Sequence, residues 1–420
     1  MVEAALAKWV SAIVVAGAAV VAFGAAGLLG RAPKVTGEVR SPGSGSSGTA
    51  PVNGRTIGVG GCVSAGCHGG SAVDSLSGKL DERTWNGSAS HWLAVDPHTK
   101  AYSALELPLA NWIMDRFAKG TRATDDPRCL ACHTNPSLAW REATEREKLQ
   151  RADGVSCEAC HGDAGKWMPQ HTTWTPSNRA AGYEQTGMAR LFDIGERAAA
   201  CAGCHVGAPA DESRGYPVRD MNHDMIAAGH PRLNFDFADY QRRLSPHWME
   251  EDRSPEFEVK SWLVGRAASD EAAAVLKADR ATRGKAGIAP MPEYADWSCA
   301  SCHHKLGDGF PSRGARPTDP LVWPIGLNRK STALASGSDC VVALESALKD
   351  VNPAKLDADT AGHVFFGLVS RERMRMKRGG KLEYDPAFDR LKISLTRPRG
   401  NIDFHVSLET ITELNGLLKR

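Results

Sequence analysis

Ten of the eleven cysteines in this 420-residue chain fall into five pairs, and each pair is followed at once by a histidine. The motifs are Cys62-Val-Ser-Ala-Gly-Cys67-His68, Cys129-Leu-Ala-Cys132-His133, Cys157-Glu-Ala-Cys160-His161, Cys201-Ala-Gly-Cys204-His205 and Cys299-Ala-Ser-Cys302-His303. With 14 histidines in the chain, a histidine would follow all five pairs by chance with a probability of roughly 4 in 100 million. The pattern therefore calls for a chemical explanation.

Cys-x-x-Cys-His is the spacing of a covalent attachment site for c-type haem. The two thiols add to the two vinyl groups of one porphyrin, and the adjacent imidazole becomes the proximal ligand of the iron. Zinc sites and disulfides also use paired cysteines, but neither needs a histidine after every pair. The sequence therefore predicts five covalently bound haems c, with the longer Cys62–Cys67 loop as a variant of the motif. The predicted proximal ligands are His68, His133, His161, His205 and His303.

Histidines outside the motifs decide whether each iron has a second protein ligand. An iron with two protein ligands transfers electrons, whereas an iron with an open face can bind a substrate. Seven spare histidines lie within the haem-bearing segment, which is enough for five irons. The predicted distal ligands are His98, His171, His223, His230 and His247; His91 and His304 are less favoured.

The N-terminal segment predicts attachment to a membrane. Residues 9–30 carry no charge, and about 20 apolar residues span a bilayer, whereas the apolar part of a signal peptide has about 7–15. We therefore expect a transmembrane anchor over residues 1–32, with a cleaved signal as the alternative. Residues 33–58 are rich in Gly, Ser and Pro and predict a flexible tether. Covalent haem attachment places the rest of the chain on the periplasmic side of a bacterial cytoplasmic membrane.

The haem-bearing segment is predicted to be one mainly α domain with much irregular loop, over residues 59–306. The motifs are unevenly spaced, so the segment is not a repeat of one module. No stretch alternates long enough to predict a large sheet. Apolar residues recur at helical spacing in Ser103–Lys119, Ala139–Arg151 and Phe257–Asp279.

The remaining chain is predicted to be a connector followed by a small haem-free region. Residues 307–324 are rich in Gly and Pro, which marks a boundary. Residues 325–420 are expected to be α+β. The predicted elements there are helices over Ser331–Lys349 and Val406–Leu418 and a strand over Leu391–Leu395.

The charge balance argues against a nucleic-acid partner. Lys and Arg number 51 against 49 Asp and Glu, which gives a formal charge of +2. The run Arg371–Lys381 holds six basic residues and one Glu. It predicts a solvated face, or a contact with an acidic partner or lipid headgroups. The unpaired Cys340 is expected to be a buried, inert thiol.

Several of these features together resemble the tetrahaem cytochrome c-554 family. The third motif reads Gly154-Val155-Ser156-Cys157-Glu-Ala-Cys160-His161-Gly162, His98 begins His-Thr-Lys-Ala, and His171 follows as a loop histidine. The similarity covers roughly residues 60–235 and does not include the fifth motif, the anchor or residues 305–420. It implies a core of closely stacked haems and electron transfer. It also implies that the second haem can lack a distal ligand, which would allow catalysis, although the surplus histidines here argue against an open face.

Three functions follow from these observations. The first is a membrane-tethered pentahaem electron carrier that serves redox partner proteins outside the cytoplasmic membrane. The second is an enzyme with one five-coordinate haem, acting on hydroxylamine or a nitrogen oxide. The third is a quinol dehydrogenase. A 31-residue tether reaches about 30 Å, which suits a head that meets soluble partners better than one docked on membrane quinol.

Overall fold

The structure is a computed structural model. It describes residues 56–71, 84–140, 143–231, 235–244, 247–248, 250, 254–297, 337–349 and 358–377. All of these residues belong to one compact unit, Gly48–Arg420. The predicted anchor, the fifth Cys-x-x-Cys-His motif, His304 and the segments Leu391–Leu395 and Val406–Leu418 lie outside the described residues.

The described residues form α-helices, short 3-10 helices and irregular connections. The α-helices are α1 (Ser88–Val95), α2 (Pro108–Phe117), α3 (Pro127–His133), α4 (Glu145–Arg151), α5 (Cys157–His161), α6 (Met168–His171), α7 (Arg179–Thr186), α8 (Ile194–His205), α9 (His223–Ala227), α10 (Phe237–Arg243), α11 (Phe257–Lys285), α12 (Gly337–Lys349) and α13 (Ala358–Lys377). The 3-10 helices are Val59–Gly61, Thr84–Gly87, Pro97–Lys100, Ser103–Glu106, Ala123–Asp125, Pro136–Leu138 and Tyr294–Asp296. The described part contains no strand, only the isolated bridges Ala208–Arg219 and Asp211–Tyr216. The prediction of a mainly α fold is confirmed.

Three of the cysteine motifs end a helix. The second, third and fourth motifs form the last residues of α3, α5 and α8, each of which stops at the motif histidine. Residues three and four positions apart share one face of a helix, so both thiols and the imidazole point to the same side. The first motif, with its longer loop, is made of turns after the 3-10 helix at Val59–Gly61.

Capping groups determine where the motif-bearing helices begin. The Asp126 carboxylate accepts a hydrogen bond from the Arg128 backbone N–H, and Pro127 occupies the first turn of α3. Asp193 accepts from the N–H groups of Gly195 and Glu196 at the start of α8. Such caps satisfy N–H groups that have no partner within the helix.

Some helix boundaries differ from the predicted ones for local reasons. The segment predicted as a helix over Ser103–Lys119 divides into a 3-10 turn and α2, because Pro108 starts a new helix. In the described part of the segment predicted as a helix over Ala139–Arg151, the helix α4 begins at Glu145, where Thr144 and Glu147 form a capping box.

The helices of residues 337–377 share a core with the haem-bearing segment. Trp262 of α11 packs against Leu344 of α12 and against Phe365 and Leu368 of α13, all of them fully buried. Cys340 is buried in the same core, as predicted. The predicted boundary over residues 307–324 and the division into domains stay predictions.

In the described part of the basic run, Arg373, Arg375 and Lys377 are exposed, as predicted for a solvated face, whereas Arg371 is buried. Arg371 lies 3.7 Å from the Glu345 carboxylate. Arg373 and Lys377 lie 3.2 and 3.1 Å from Glu258 of α11. These charges hold α13 against its neighbours within the chain.

Among the described helices, none combines the length and apolar character required to cross a membrane.

Candidate haem-binding sites

Four motif histidines each face one histidine from another part of the chain. The ring centres are 6.2 Å apart for His68 and His171, and 6.1 Å apart for His205 and His98. They are 6.3 Å apart for His133 and His230, and 6.5 Å apart for His161 and His247. Sequence spacing suggested the distal candidates but not these pairings.

This separation fits one iron between two imidazoles. An iron–imidazole bond is about 2 Å long, and the bonded nitrogen lies about 1.1 Å from the ring centre, so two axial rings have centres about 6 Å apart. Direct packing of two rings would also allow much shorter separations, down to about 4.5 Å. All four pairs fall within the narrow interval that haem ligation requires.

Hydrogen bonds at Nδ1 leave the other ring nitrogen available for iron. The Nδ1 atoms of His68, His133, His171 and His230 lie 2.8, 2.6, 2.5 and 2.9 Å from the backbone oxygens of Trp85, Ala101, Met168 and Pro231. A carbonyl oxygen can only accept, so Nδ1 carries the proton and Nε2 is the free ligand atom. Metal-bound histidines usually have such a partner, which fixes the tautomer and the ring orientation.

His98 has a charged partner instead. Its Nδ1 lies 2.9 Å from the Asp96 carboxylate. The same carboxylate accepts a hydrogen bond from the His98 backbone N–H at 2.9 Å and so caps the turn. Burial acts to lower the pKa of His98, but the hydrogen bond and the charge of Asp96 outweigh burial and raise it. A carboxylate in this position makes the imidazole a stronger electron donor to a metal.

Burial keeps other ligand candidates neutral. Desolvation lowers the pKa of His161 to about 3 and those of His205 and His247 to about 4. A histidine must be neutral at the bonding nitrogen to ligate a metal. Phe235 stacks on His205 at 5.1 Å and Tyr240 meets it edge-on at 5.0 Å, which helps to exclude water from this ring.

Three of the described motif cysteines, Cys129, Cys160 and Cys201, are held as protonated thiols, whereas the neighbouring Cys132 side chain lowers the pKa of Cys204 to about 6. All nine described cysteines are free, including the eight of the first four motifs. Burial raises the pKa of Cys129, Cys160 and Cys201 to about 12. Addition to a vinyl group uses a thiol, so the donor set fits covalent attachment of a porphyrin. Within the described ranges, no group of three or more His, Cys, Asp or Glu could hold a metal ion.

Thiols of different motifs also lie close together. Cys62 of the first motif lies near Cys157 of the third, and the interaction of the two side chains lowers the pKa of Cys62 and raises that of Cys157. Cys132 of the second motif is similarly close to Cys204 of the fourth. The porphyrin edges attached at these positions would therefore be neighbours, in the pairs first–third and second–fourth.

His223, the remaining predicted distal ligand, has no described motif histidine opposite it. Its ring meets Tyr294 edge-on at 5.6 Å, and its backbone N–H donates to Glu293 at 2.9 Å. Tyr294 in turn contacts Trp297 at 5.7 Å, two residues before Cys299. His223 thus lies next to the segment that leads into the fifth motif.

The sequence did not predict the backbone oxygens that accept hydrogen bonds from the candidate ligand histidines. The backbone oxygens of Trp85, Ala101 and Met168 come from turns and helix ends that no residue type reveals. His171 lies in a short helix, α6, rather than in the predicted loop. The Asp96-Pro97-His98 sequence was a usable signal for the Asp96 cap, because Asp before Pro often begins a helical turn.

Comparison with known families finds a family model that matches part of the chain. Residues 84–162 match the family model described as "Cytochrome c554 and c-prime". No curated protein and no solved structure matches the chain. The matched segment includes α1, the second motif and the third motif. The fold and the sites therefore define a c-type cytochrome that binds haem c covalently and transfers electrons. Over residues 84–162 it resembles a c554-like multihaem cytochrome.

Proposed function

We propose that this protein is a pentahaem c-type cytochrome that relays electrons between redox proteins outside the cytoplasmic membrane, with two histidines on each iron. The observation that carries the proposal is the set of four histidine pairs with ring centres 6.1–6.5 Å apart. The proposed ligand pairs are His68 with His171, His133 with His230, His161 with His247, and His205 with His98.

Haem iron supplies a one-electron couple when it is bound, and the chain determines what that couple can do. Two imidazoles on each iron leave no coordination position for a substrate. The Nδ1 hydrogen bonds to backbone oxygens hold each ring in one orientation. The neighbouring thiols of Cys62 and Cys157, and of Cys132 and Cys204, bring the attachment points of successive cofactors together. These features favour a carrier.

The second motif supports a carrier rather than a haem enzyme. The c-554 resemblance allows an open second haem, but His230 faces His133 at 6.3 Å. Its Nδ1 lies 2.9 Å from the Pro231 backbone oxygen, which leaves Nε2 facing the site. The described part of the chain therefore offers a distal ligand for each of its four motifs.

The fifth haem is supported by the Cys299–His303 motif and by the position of His223. Cys299 and Cys302 would attach it, and His303 would be its proximal ligand. His223 is proposed as the distal ligand, because Tyr294 and Glu293, just before the motif, contact it.

The uncharged N-terminal segment and covalent haem support a location at the periplasmic side of the membrane. Residues 1–32 would anchor the chain, and residues 33–58 would let the haem domain reach partner proteins. The redox partners would be proteins rather than membrane quinol.

The test is a haem count combined with low-temperature electron paramagnetic resonance (EPR) on the purified full-length protein. We expect a denatured mass heavier by five haems, five haems by pyridine haemochrome, and only low-spin ferric signals. A mass increase of four haems or fewer would contradict the count, with the Cys62–Cys67 loop the first site to examine. A high-spin signal in the native protein would instead support a substrate-binding haem.

A further inference from the structure

Glu158 occupies a variable position of the third motif, between Cys157 and Cys160, yet it is one of the most buried side chains in the described residues, with 2% of its surface exposed. Its Oε1 accepts hydrogen bonds from the Ile57 and Ala164 backbone N–H groups at 3.0 and 2.7 Å. Its Oε2 accepts one from the Gly58 N–H at 2.9 Å. Two of these donors come from a segment a hundred residues away, immediately before the first motif.

The same short segment has further partners on α4. The Thr56 hydroxyl donates to Gln150 at 2.7 Å, and Arg146 donates to the Ile57 backbone oxygen at 3.3 Å. Gly58 has a φ of 75°, and a Cβ atom there would lie 2.9 Å from the Gln150 amide nitrogen. Residues 56–58 are therefore fixed on two sides, by Glu158 and by α4. We call this arrangement the 56–58 clamp.

The 56–58 clamp fixes the position of the backbone that leads into the first motif. Gly58 is followed directly by the 3-10 helix Val59–Gly61, and the Cys62 N–H donates to the Val59 oxygen at 2.8 Å. Only this single turn separates the Glu158 contacts from the Cys62 thiol. That thiol is the one that lies near Cys157, the residue next to Glu158.

We propose that Glu158 is a positioning residue for the first haem: by holding Ile57 and Gly58 it fixes the spacing between the porphyrins attached at Cys62 and Cys157. The inference rests on the proposed haem attachment at the first and third motifs. Glu158 also places a buried carboxylate beside the third haem. A buried negative charge stabilises the ferric over the ferrous state, because reduction removes a positive charge from the iron.

Position and charge can be separated by substitution. In Glu158→Gln, the side-chain oxygen can keep the hydrogen bonds from Ile57 and Ala164, while the negative charge and the acceptor for the Gly58 N–H are lost. In Glu158→Ala, all three backbone N–H groups lose their acceptor. Gly58→Ala disturbs the clamp from the other side and leaves the Glu158 carboxylate in place. Glu145→Gln, at an exposed glutamate of α4, is the control for loss of one negative charge.

The experiment measures the Soret circular dichroism couplet of neighbouring haems and the midpoint potentials of the full-length holoprotein, with a haemochrome count on every variant. We expect Glu158→Gln, which keeps the Ile57 and Ala164 contacts, to weaken the couplet less than Glu158→Ala does. It should raise one midpoint potential by about 59 mV, which corresponds to a tenfold change in the one-electron equilibrium. Glu158→Ala should weaken the couplet and raise the potential. Gly58→Ala should weaken the couplet without that rise, and Glu145→Gln should match the wild type.

Several results would overturn the inference. One is a native couplet in both Glu158→Ala and Gly58→Ala when the haem count is unchanged; another is an unchanged set of potentials in Glu158→Gln. If Glu158→Ala does not accumulate as a folded protein, Gly58→Ala still tests the positioning role and Glu158→Gln still tests the effect of the charge. A wild-type protein without haem at the first or third motif would contradict the proposed function itself, and the haemochrome count identifies that case separately.

Discussion

His230 gives the second motif a partner where the c-554 resemblance leaves room for an open iron. The residue follows α9, and its own backbone N–H donates to the Met225 oxygen at 3.1 Å. The Trp112 ring packs so closely on the preceding Gly229 that a Cβ atom there would lie 1.9 Å from it. Glycine at position 229 therefore allows the backbone before His230 to lie against an aromatic ring.

Replacing His230 tests this ligand directly. We expect His230→Ala to convert one low-spin haem to high spin, because the second iron loses its distal ligand. His230→Met should keep that iron low-spin and raise its potential, because a thioether in place of an imidazole raises the potential of haem iron. EPR and a redox titration of the two variants provide the measurement. An unchanged spectrum in His230→Ala would show that His230 is not a ligand.

A second residue-level effect concerns Asp270 on α11. Burial raises its pKa from an ordinary value of 3.8 to about 7, although the charge of Arg266 acts to lower it. Its Oδ1 atom is buried and has no hydrogen-bond partner among the described residues. The folded protein therefore holds a proton at pH values where the unfolded chain has released it. Stability from this group is fully present below the unfolded-state pKa and is lost as the pH rises through the folded-state pKa of about 7.

Asp270→Asn should remove this pH dependence. We expect the variant to be more stable than the wild type at pH 8, by about 1 kcal/mol, a modest figure because the side chain is only partly buried. The difference should shrink between pH 7 and pH 4. Thermal unfolding at several pH values measures it, with the exposed Asp115→Asn as the control. A stability difference that stays constant across this pH range would refute the assignment.

At the scale of elements, short helices bring the ligands together from distant parts of the chain. His98 lies in the turn Pro97–Lys100 and faces His205 at the end of α8. His171 ends α6 and faces His68, about a hundred residues earlier. Each iron would therefore join two elements, and haem binding would act as a cross-link between them.

The angle between paired rings differs among the sites and gives a spectroscopic prediction. The rings of His68 and His171 are nearly parallel, at 13°, whereas the other three pairs are crossed at 61–84°. Parallel imidazoles interact with one iron dπ orbital more than with the other, and this difference separates the energies of the two orbitals. Crossed imidazoles leave these orbitals nearly equal in energy.

For the four described histidine pairs, we therefore expect one haem with a rhombic low-spin EPR spectrum, at His68 and His171. The haems at the other three pairs should have spectra dominated by a single large g value. His171→Met should remove the rhombic signal, and His230→Met should remove one of the large-g signals. If His171→Met removed a large-g signal instead, the ring geometry at the first site would be wrong.

The sequence was sufficient for the chemistry of the sites but not for their pairing. The Cys-x-x-Cys-His spacing and the helical spacing of apolar residues are both local patterns, so candidate attachment residues and a mainly α fold could be predicted from the sequence. The pairing of His161 with His247, or of His205 with His98, depends on contacts across about a hundred residues, and no local pattern records such contacts. The same applies to Glu158, which looks like a spacer in its motif and is anchored to Gly58 only by the fold.

At the scale of the whole molecule, the sequence charge and the charge of the haem-bound protein are expected to differ in sign. The chain alone is formally +2, with a sequence isoelectric point of about 8.0. Each ferric haem adds about one net negative charge when both propionates are ionised, and each ferrous haem about two. Five haems would bring the total to roughly −3 in the oxidised protein and −8 in the reduced protein.

We therefore expect the holoprotein to focus well below pH 8 and to bind an anion exchanger at neutral pH. The basic residues of α13 should remain a local positive patch, because Arg373 and Lys377 are exposed and share the single Glu258 carboxylate. Isoelectric focusing of the haem-loaded and haem-free chains provides the comparison, since both share one sequence. Equal isoelectric points for the two forms would mean that the propionates stay protonated or that fewer haems are bound. A reduced sample that focuses lower than the oxidised one would confirm that the added electrons, rather than the side chains, carry the extra charge.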